Sequence, residues 1–111
     1  DEKIIEGQIH GGQAQGLGYG YLEVMDRKDG RIRQTTMTDY IIPTSVDVPV
    51  MNTSVMDNPY ALGPYGAKGA GELTLVGGAP ALAKAVEQAV GKEVRKIPLT
   101  PESIMELMQR E

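Results

Sequence analysis

Glycines at every fourth position from residue 12 to residue 20 are the feature that most constrains how this chain can fold. Gly12, Gly16 and Gly20 belong to the segment GQIHGGQAQGLGYGYLEV (residues 7–24), whose apolar residues also recur at helical spacings of three and four. Each interior glycine costs a helix about 1 kcal/mol relative to alanine, so packing must compensate. A bare glycine face lets another backbone or a ligand come close. We predict a helix here, with a flexible glycine loop as the alternative.

The composition makes the glycine excess stand out. Fourteen of the 111 residues are glycine, where an average usage of about 7% gives about eight. Phe and Trp are absent and the five tyrosines are the only aromatic residues, so a core built by this chain alone is thin. The length fits one domain or a part of one.

Missing residue types exclude several kinds of site. Without cysteine the chain holds no disulfide, no Cys-ligated zinc and no Cys-ligated iron–sulfur cluster. The single histidine, His10, argues against a His-rich metal site, so we predict no metal ligand. The net charge of −4 without a basic cluster argues against nucleic-acid binding. No apolar run approaches the ~18 residues of a membrane span, and no signal peptide is visible, so we expect no membrane partner and a cytoplasmic location.

The middle of the chain predicts a turn and two extended stretches. Residues 25–30 (MDRKDG) form the turn, and their Asp-Gly pair is the strongest local signal for it. Residues 31–42 are rich in β-branched side chains and predict a strand that Pro43 ends. Residues 44–57 predict a second extended stretch, so we expect two strands joined by an irregular connection.

The second half predicts a glycine-rich loop followed by two helices. Residues 58–71 (NPYALGPYGAKGAG) hold four glycines and two prolines, the composition of a constrained loop. Residues 80–91 predict a helix with proline at its first position and glycine at its C-terminal cap. A connector at 92–99, which allows a short strand, leads to a last helix capped by Thr100. The predicted fold class is α+β.

The glycine loops do not match nucleotide-binding motifs. The sequence GLGYGY gives G-x-G-x-G, whereas the dinucleotide fingerprint is G-x-G-x-x-G. Lys68 is preceded by Ala67 and followed by Gly69, whereas a Walker A loop needs Gly-Lys-Ser/Thr because the hydroxyl holds Mg²⁺. We therefore expect no nucleotide site made by this chain alone.

Glu72 is the candidate catalytic residue on physical grounds. It ends the glycine-rich loop and precedes the apolar run at 73–76. A carboxylate embedded among Gly and Leu loses hydration, and a desolvated carboxylate is a usable general base. The alternative is a solvated glutamate, or an ion-pair partner of Lys68 four residues earlier, and the loop alone favours that alternative.

Three amides, those of Gln8, Gln13 and Gln15, lie on the glycine-rich segment. They are suited to hydrogen-bond a polar ligand that lies against the glycines. Glutamines on the surface of a helix are the more common case, and the residues alone favour it.

Five segments, in this order, resemble the C-terminal end of the large subunit of the molybdenum hydroxylases, the family of xanthine dehydrogenase, aldehyde oxidase and aerobic carbon monoxide dehydrogenase. The segments are EGQIHGGQAQGLGYGYLE, DYIIPTSVDVP, GPYGAKGAGE, APALAKAVEQAVG and PLTPESI. They cover nearly the whole chain. The resemblance implies that residues 1–111 are a C-terminal fragment of a larger molybdopterin-binding domain.

The resemblance also implies roles for particular residues. In this family the glutamate that closes the K-G-x-G-E loop is the catalytic base, which takes a proton from a hydroxyl on molybdenum, and here that position is Glu72. The implied cofactor-binding residues are Gln8, Gln15, Lys68, Gly69, Ala70 and Gly71. The implied reaction hydroxylates a purine or another N-heterocycle, or oxidises an aldehyde, with oxygen that comes from water.

The implied cofactor is molybdenum–molybdopterin, held largely by segments outside this chain. The 2Fe-2S clusters and FAD belong to other domains or subunits, which agrees with the absence of cysteine. The implied partners are the remainder of the molybdopterin-binding subunit, the iron–sulfur and flavin domains or subunits, a small-molecule substrate and an oligomeric assembly.

Two points leave alternatives open. Leu73 follows the loop glutamate where the purine and aldehyde enzymes have proline, which puts the substrate in doubt. A stand-alone binding or scaffold module that keeps the family's shape without its chemistry is the alternative function, and a separately encoded subunit that completes the site by association is a third option.

Overall fold

The structure is a computed structural model that describes residues 1–110. Its fold consists of three helices, one short hairpin and long irregular segments. The elements in order are α1 (Glu2–Leu17), a π-helical turn (Gly18–Leu22), β1 (Arg27–Lys28), β2 (Arg31–Ile32), 3-10 turns at Pro64–Gly66 and Glu72–Leu75, α2 (Gly78–Val90) and α3 (Pro101–Gln109). The helices and the small sheet confirm the predicted α+β class.

The glycine-rich segment is helical, as predicted, and α1 begins earlier than the glycines do. The Asp1 carboxylate caps the helix by accepting a hydrogen bond from the Lys3 N–H at 2.9 Å. Gly12 and Gly16 are buried in α1, and Gly20 is buried in the π-helical turn that continues it. The three glycines therefore form one buried row along the helix.

The glycine row packs on the chain's own second half. Gly16 lies against the Leu75 carbonyl and the backbone of Gly78, and Gly20 lies against Ala79 and Leu82. A Cβ at Gly16 would stand 2.5 Å from the Leu75 oxygen, which is too close for any side chain. Close packing of backbone on backbone thus compensates for the helix propensity that the glycines lose.

The hairpin confirms the predicted turn but not the predicted strands. β1 and β2 pair in antiparallel register around Asp29 and Gly30, whose φ values of 51° and 76° match a type I′ turn. Within residues 1–110 this hairpin is the only sheet, so the strand predicted over 31–42 is wrong beyond Ile32, and the stretch at 44–57 is not a strand.

Local hydrogen bonds explain why those strands do not form. The Thr36 hydroxyl donates to the Asp39 carboxylate at 2.9 Å, and the Tyr40 N–H donates to the Thr36 carbonyl at 2.9 Å. The Thr44 N–H and hydroxyl donate to the Asp47 carboxylate at 2.8 and 2.6 Å. Thr and Asp side chains that bond to nearby backbone in this way compete with strand pairing.

Both predicted C-terminal helices form, although α2 begins at Gly78, so that Pro80 is its third residue and not its first. Gly91 ends α2 in the left-handed conformation (φ 69°), and the Thr100 hydroxyl caps α3 by accepting from the Ser103 N–H at 3.3 Å. The connector at 92–99 contains no strand, because its backbone bonds elsewhere. The Val94 N–H donates to the Glu87 carboxylate at 2.9 Å and the Leu99 N–H donates to the Gly20 carbonyl at 2.7 Å.

The described residues bury little apolar surface among themselves. Their buried apolar side chains are Ala79, Leu99 and Leu107, whereas Val46, Val50 and Leu62 are 86–92% exposed. The radius of gyration is 17.3 Å, compared with about 13 Å for a compact domain of this length. Within residues 1–110, no helix has the length and apolarity needed to cross a bilayer.

Candidate functional site

A cleft of about 390 Å³ lies between the exposed edge of α1 and the 3-10 turn at Glu72–Leu75. Its lining is Gly7, Gln8, Gly11, Gly12 and Gln15 from α1, with Gly71, Glu72 and Thr74 from the turn. Residues 56 or more positions apart in the sequence thus form one site.

The helical wall of the cleft combines open glycines with exposed amides. Gln8 and Gln15 are seven residues apart, which is two helical turns, so both face the same side of α1. On the same wall, Gly7 directly precedes Gln8 and Gly11 lies between the two glutamines. Apart from their own helix backbone, neither glycine has an atom within 4 Å of the place where a Cβ would stand. The wall therefore combines stretches of bare backbone with two amides, and a planar polar group could lie against it.

The turn that carries Glu72 is fastened to α1 by two residues. The Thr74 hydroxyl lies 3.0 Å from the Gln8 carbonyl oxygen and 3.2 Å from the Gly71 carbonyl oxygen. The Gln13 amide donates to the Thr74 carbonyl at 2.6 Å. Sequence reasoning grouped Gln13 with the ligand-binding amides and did not single out Thr74. The sequence signal for Thr74 is that it is the one hydroxyl residue within the otherwise apolar run at 73–76.

Glu72 is exposed, so the expectation that its own chain desolvates the carboxylate is wrong. The neighbouring Leu73 is itself 63% exposed and does not cover it. Within residues 1–110, the ion pairs do not include Lys68 and Glu72, so the alternative of a Lys68 partner is not observed either. Any desolvation of Glu72 must come from atoms outside this chain or from a molecule in the cleft.

The structure brings together four of the predicted site residues and leaves three outside. Gln8, Gln15, Gly71 and Glu72 line the cleft. The other three, Lys68, Gly69 and Ala70, are exposed and lie outside the lining. The loop before them is constrained, as predicted, since Tyr65 and Gly66 both have positive φ, at 54° and 76°.

The donor set of the cleft fits a polar organic group better than a metal ion. Each glutamine amide offers two N–H donors and one acceptor oxygen. Among the described residues, no three His, Cys, Asp or Glu side chains come together as a metal-ligand set. The amides of the lining are therefore suited to hydrogen-bond a polar organic group.

Two hydrogen bonds join the irregular segment at residues 40–47 to the residues that end the glycine-rich helical segment. The Tyr40 hydroxyl donates to the Glu23 carboxylate, and the Tyr21 hydroxyl donates to the Asp47 carbonyl at 3.0 Å. The hydrogen bond to Glu23, aided by partial burial and the negative charge of Glu23, raises the pKa of Tyr40. These bonds hold residues 40–47 beside the π-helical turn without a sheet.

Comparisons with known proteins agree on one family. A family model described as molybdopterin cofactor-binding domain matches residues 1–49. A probable xanthine dehydrogenase subunit of Bacillus subtilis is 36% identical over 104 residues, which are 94% of this chain and 14% of the relative. The carbon monoxide dehydrogenase large chain of Afipia carboxidovorans is 36% identical over 87 residues, covering 78% of this chain and 11% of the relative.

Among solved structures, quinoline 2-oxidoreductase from Pseudomonas putida 86 matches with a TM-score of 0.89 and 37% identity, covering 97% of this chain and 14% of that chain. The fold of residues 1–110, including its irregular middle segment, is therefore a known arrangement. The chain spans 11–14% of the length of these relatives.

Proposed function

Because this chain belongs to the molybdenum hydroxylase family of xanthine dehydrogenases and aldehyde oxidoreductases, we propose that its 111 residues are the C-terminal part of a molybdopterin-binding subunit. The family uses a molybdenum–molybdopterin cofactor, with 2Fe-2S clusters and FAD typically carried on other subunits or domains. The small core and exposed apolar side chains support this proposal, since a part of a larger subunit packs on the remainder of it.

The proposed reaction is the hydroxylation of an N-heterocycle, a purine included, or the oxidation of an aldehyde. Two of the relatives are named for N-heterocycles, xanthine and quinoline, which favours this substrate class. Another is named for carbon monoxide, and Leu73 stands where the resemblance implies a proline in the purine and aldehyde enzymes, so we name a substrate class and no single substrate. The redox subunits, an oligomeric assembly and a cytoplasmic location stay predictions of the sequence.

In this proposal the cleft holds the edge of the cofactor. Gln8 and Gln15 would hydrogen-bond polar atoms of its organic part, and the open backbone at Gly7 and Gly11 would leave room for it beside α1. Gly71 adds a wall without a side chain. Lys68, Gly69 and Ala70 precede Glu72 by two to four residues, and we assign them outer contacts at the mouth of the cleft.

One observation carries the assignment of Glu72 as general base. Among the described residues that line the cleft, Glu72 is the only one with an ionisable side chain. When bound, the molybdenum cofactor supplies the two-electron oxidation, and the inserted oxygen comes from water. The chain's own contribution is a carboxylate oxygen of Glu72 that accepts the proton released in that step. Bound cofactor and substrate would also displace water from the exposed carboxylate, which the chain alone does not do.

The test replaces Glu72 by glutamine in the complete enzyme. Loss of a general base lowers turnover by roughly 10²–10⁴-fold, while the molybdenum content should stay near normal because glutamine keeps the size and polarity of the side chain. Glu106→Gln is the matched control, since Glu106 is exposed on α3 and lies outside the cleft. Turnover in Glu72→Gln equal to that of Glu106→Gln would contradict the assignment.

A further inference from the structure

Thr74 connects the two walls of the cleft through backbone atoms. Its hydroxyl reaches the carbonyl oxygens of Gln8 and Gly71 at 3.0 and 3.2 Å. A carbonyl oxygen only accepts, so the hydroxyl is the donor in both contacts and its one proton is shared between them. One of these carbonyls belongs to a proposed cofactor-binding residue, and the other directly precedes Glu72.

The side chain of Thr74 sits in a space that exists only because residue 12 is glycine. A Cβ at Gly12 would overlap the Thr74 hydroxyl and stand 2.7 Å from the Thr74 Cβ. The other side of Thr74 is also held, because its carbonyl accepts the Gln13 amide at 2.6 Å. Consecutive residues of α1 therefore provide the space for the threonine and a hydrogen bond to it.

Glu72 depends on this contact for its position. Its side chain is exposed, so the backbone of the 3-10 turn, to which Thr74 belongs, sets where the carboxylate stands. A turn of four residues has little hydrogen bonding of its own. The Thr74 contacts therefore help to fix the turn against α1, together with the packing of Gly16 on the Leu75 carbonyl.

We propose that Thr74 is a positioning residue that holds the Glu72 carboxylate in register with Gln8 across the cleft, and that Gln13 supports it. The proposal rests on the proposed function, in which Glu72 is the base. Misplacement of a reacting group by about 1 Å can cost up to about 100-fold in rate. Loss of the Thr74 hydroxyl should therefore impair proton transfer more than the binding of substrate or cofactor.

The experiment compares Thr74→Val and Thr74→Ser in the complete enzyme. Valine keeps the shape and removes the hydroxyl, so kcat should fall about 10- to 100-fold with little change in KM or molybdenum content. Serine keeps the hydroxyl and should retain a kcat much closer to that of the wild type than Thr74→Val does. Gln13→Met removes the second hydrogen bond from outside the cleft, and it should lower kcat in the same sense.

Hydrogen exchange adds a readout that does not depend on catalysis. In the full-length subunit purified without cofactor, amides of residues 71–75 should exchange faster in Thr74→Val than in Thr74→Ser. Equal kcat values in the two variants, equal exchange, or loss of molybdenum from Thr74→Val alone would overturn the positioning role.

A double variant separates this proposal from the one on which it rests. If Thr74 acts through Glu72, adding Thr74→Val to Glu72→Gln should leave the residual rate unchanged, because coupled residues are not additive. A further full loss in the double variant would overturn the positioning role while leaving the base intact. An active Glu72→Gln enzyme would instead refute the proposed function.

Discussion

Replacing Gly16 by alanine tests whether the bare face of α1 is required for packing. A Cβ at this position would stand 2.5 Å from the Leu75 carbonyl oxygen and 3.2 Å from the Gly78 Cα, and both are backbone atoms. Ordinary Cβ contacts begin at 3.4 Å, so α1 and the turn would have to separate by nearly 1 Å. The contact is reciprocal, since a Cβ at Gly78 would stand 2.9 Å from the Gly16 carbonyl carbon.

The expected net cost follows from two opposing effects. Overpacking typically costs about 1–3 kcal/mol, and alanine returns about 1 kcal/mol of helix propensity. Backbone neighbours cannot rotate away as side chains do, so we expect overpacking near the upper end and a net loss of about 1–2 kcal/mol in the free energy of local opening. That loss corresponds to amide exchange in α1 that is roughly 5- to 30-fold faster.

The assay is native-state hydrogen exchange of α1 peptides in the full-length subunit purified without cofactor. Gly11→Ala is the matched control, because a Cβ at Gly11 meets nothing within 4 Å and should slow exchange by up to about fivefold through propensity alone. The result that would refute the packing argument is amide exchange in α1 that is as slow in Gly16→Ala as in Gly11→Ala. The close approach of α1 to residues 75–78 would then not restrict the side chain at residue 16.

Two further predictions concern the C-terminal half and the whole chain. The Lys84 ammonium, with the Val94 N–H, holds the pKa of Glu87 below its usual value. A carboxyl group whose pKa is lower in the folded state stabilises the fold at pH values above its unfolded pKa of about 4.3. This stabilisation is lost as the pH falls below that value. When the pH is lowered below about 4.3, the thermal unfolding midpoint should therefore fall further in wild type than in Glu87→Gln. Parallel plots of the midpoint against pH for the two proteins would contradict this. The isolated 111 residues should bind molybdopterin poorly and catalyse nothing, which metal analysis checks, and stoichiometric molybdenum in the purified chain would show otherwise.

Local signals in the sequence predicted most of the helical fold. Gly91 and Thr100 mark helix ends because a left-handed cap and a hydroxyl cap each depend on a few neighbouring residues. The Asp29-Gly30 turn formed for the same reason. The prediction of strands at 31–57 rests on β-branched composition. Such residues fit well into a sheet, but other segments must provide the strands that they pair with. The Thr and Asp residues in that stretch made local turns in its place.

The candidate site was only partly predictable. Glu72 is a candidate on physical grounds and by resemblance, whereas Gln8 and Gln15 are candidates mainly by resemblance. The cleft that brings the three together depends on contacts between residues more than 50 positions apart. No periodicity in the sequence reports such a contact. The exposure of Glu72 does not follow from the sequence, because apolar neighbours in sequence need not cover a side chain in space, and Leu73 is 63% exposed.

The π-helical turn at Gly18–Leu22 sets the angular phase of the glycine row. In a regular α-helix, a four-residue step overshoots one turn by about 40°, so successive glycines would wind around the axis. A π-helical turn contains more residues and rotates the following residues back, which keeps Gly20 facing Ala79 and Leu82. Deleting one residue from positions 17–19 would bring Tyr21 to the place of Gly20, where a Cβ would already stand 3.2 Å from Ala79 and the tyrosine ring would have no room. Insertions and deletions should therefore be excluded from this turn, even though it carries none of the proposed chemistry.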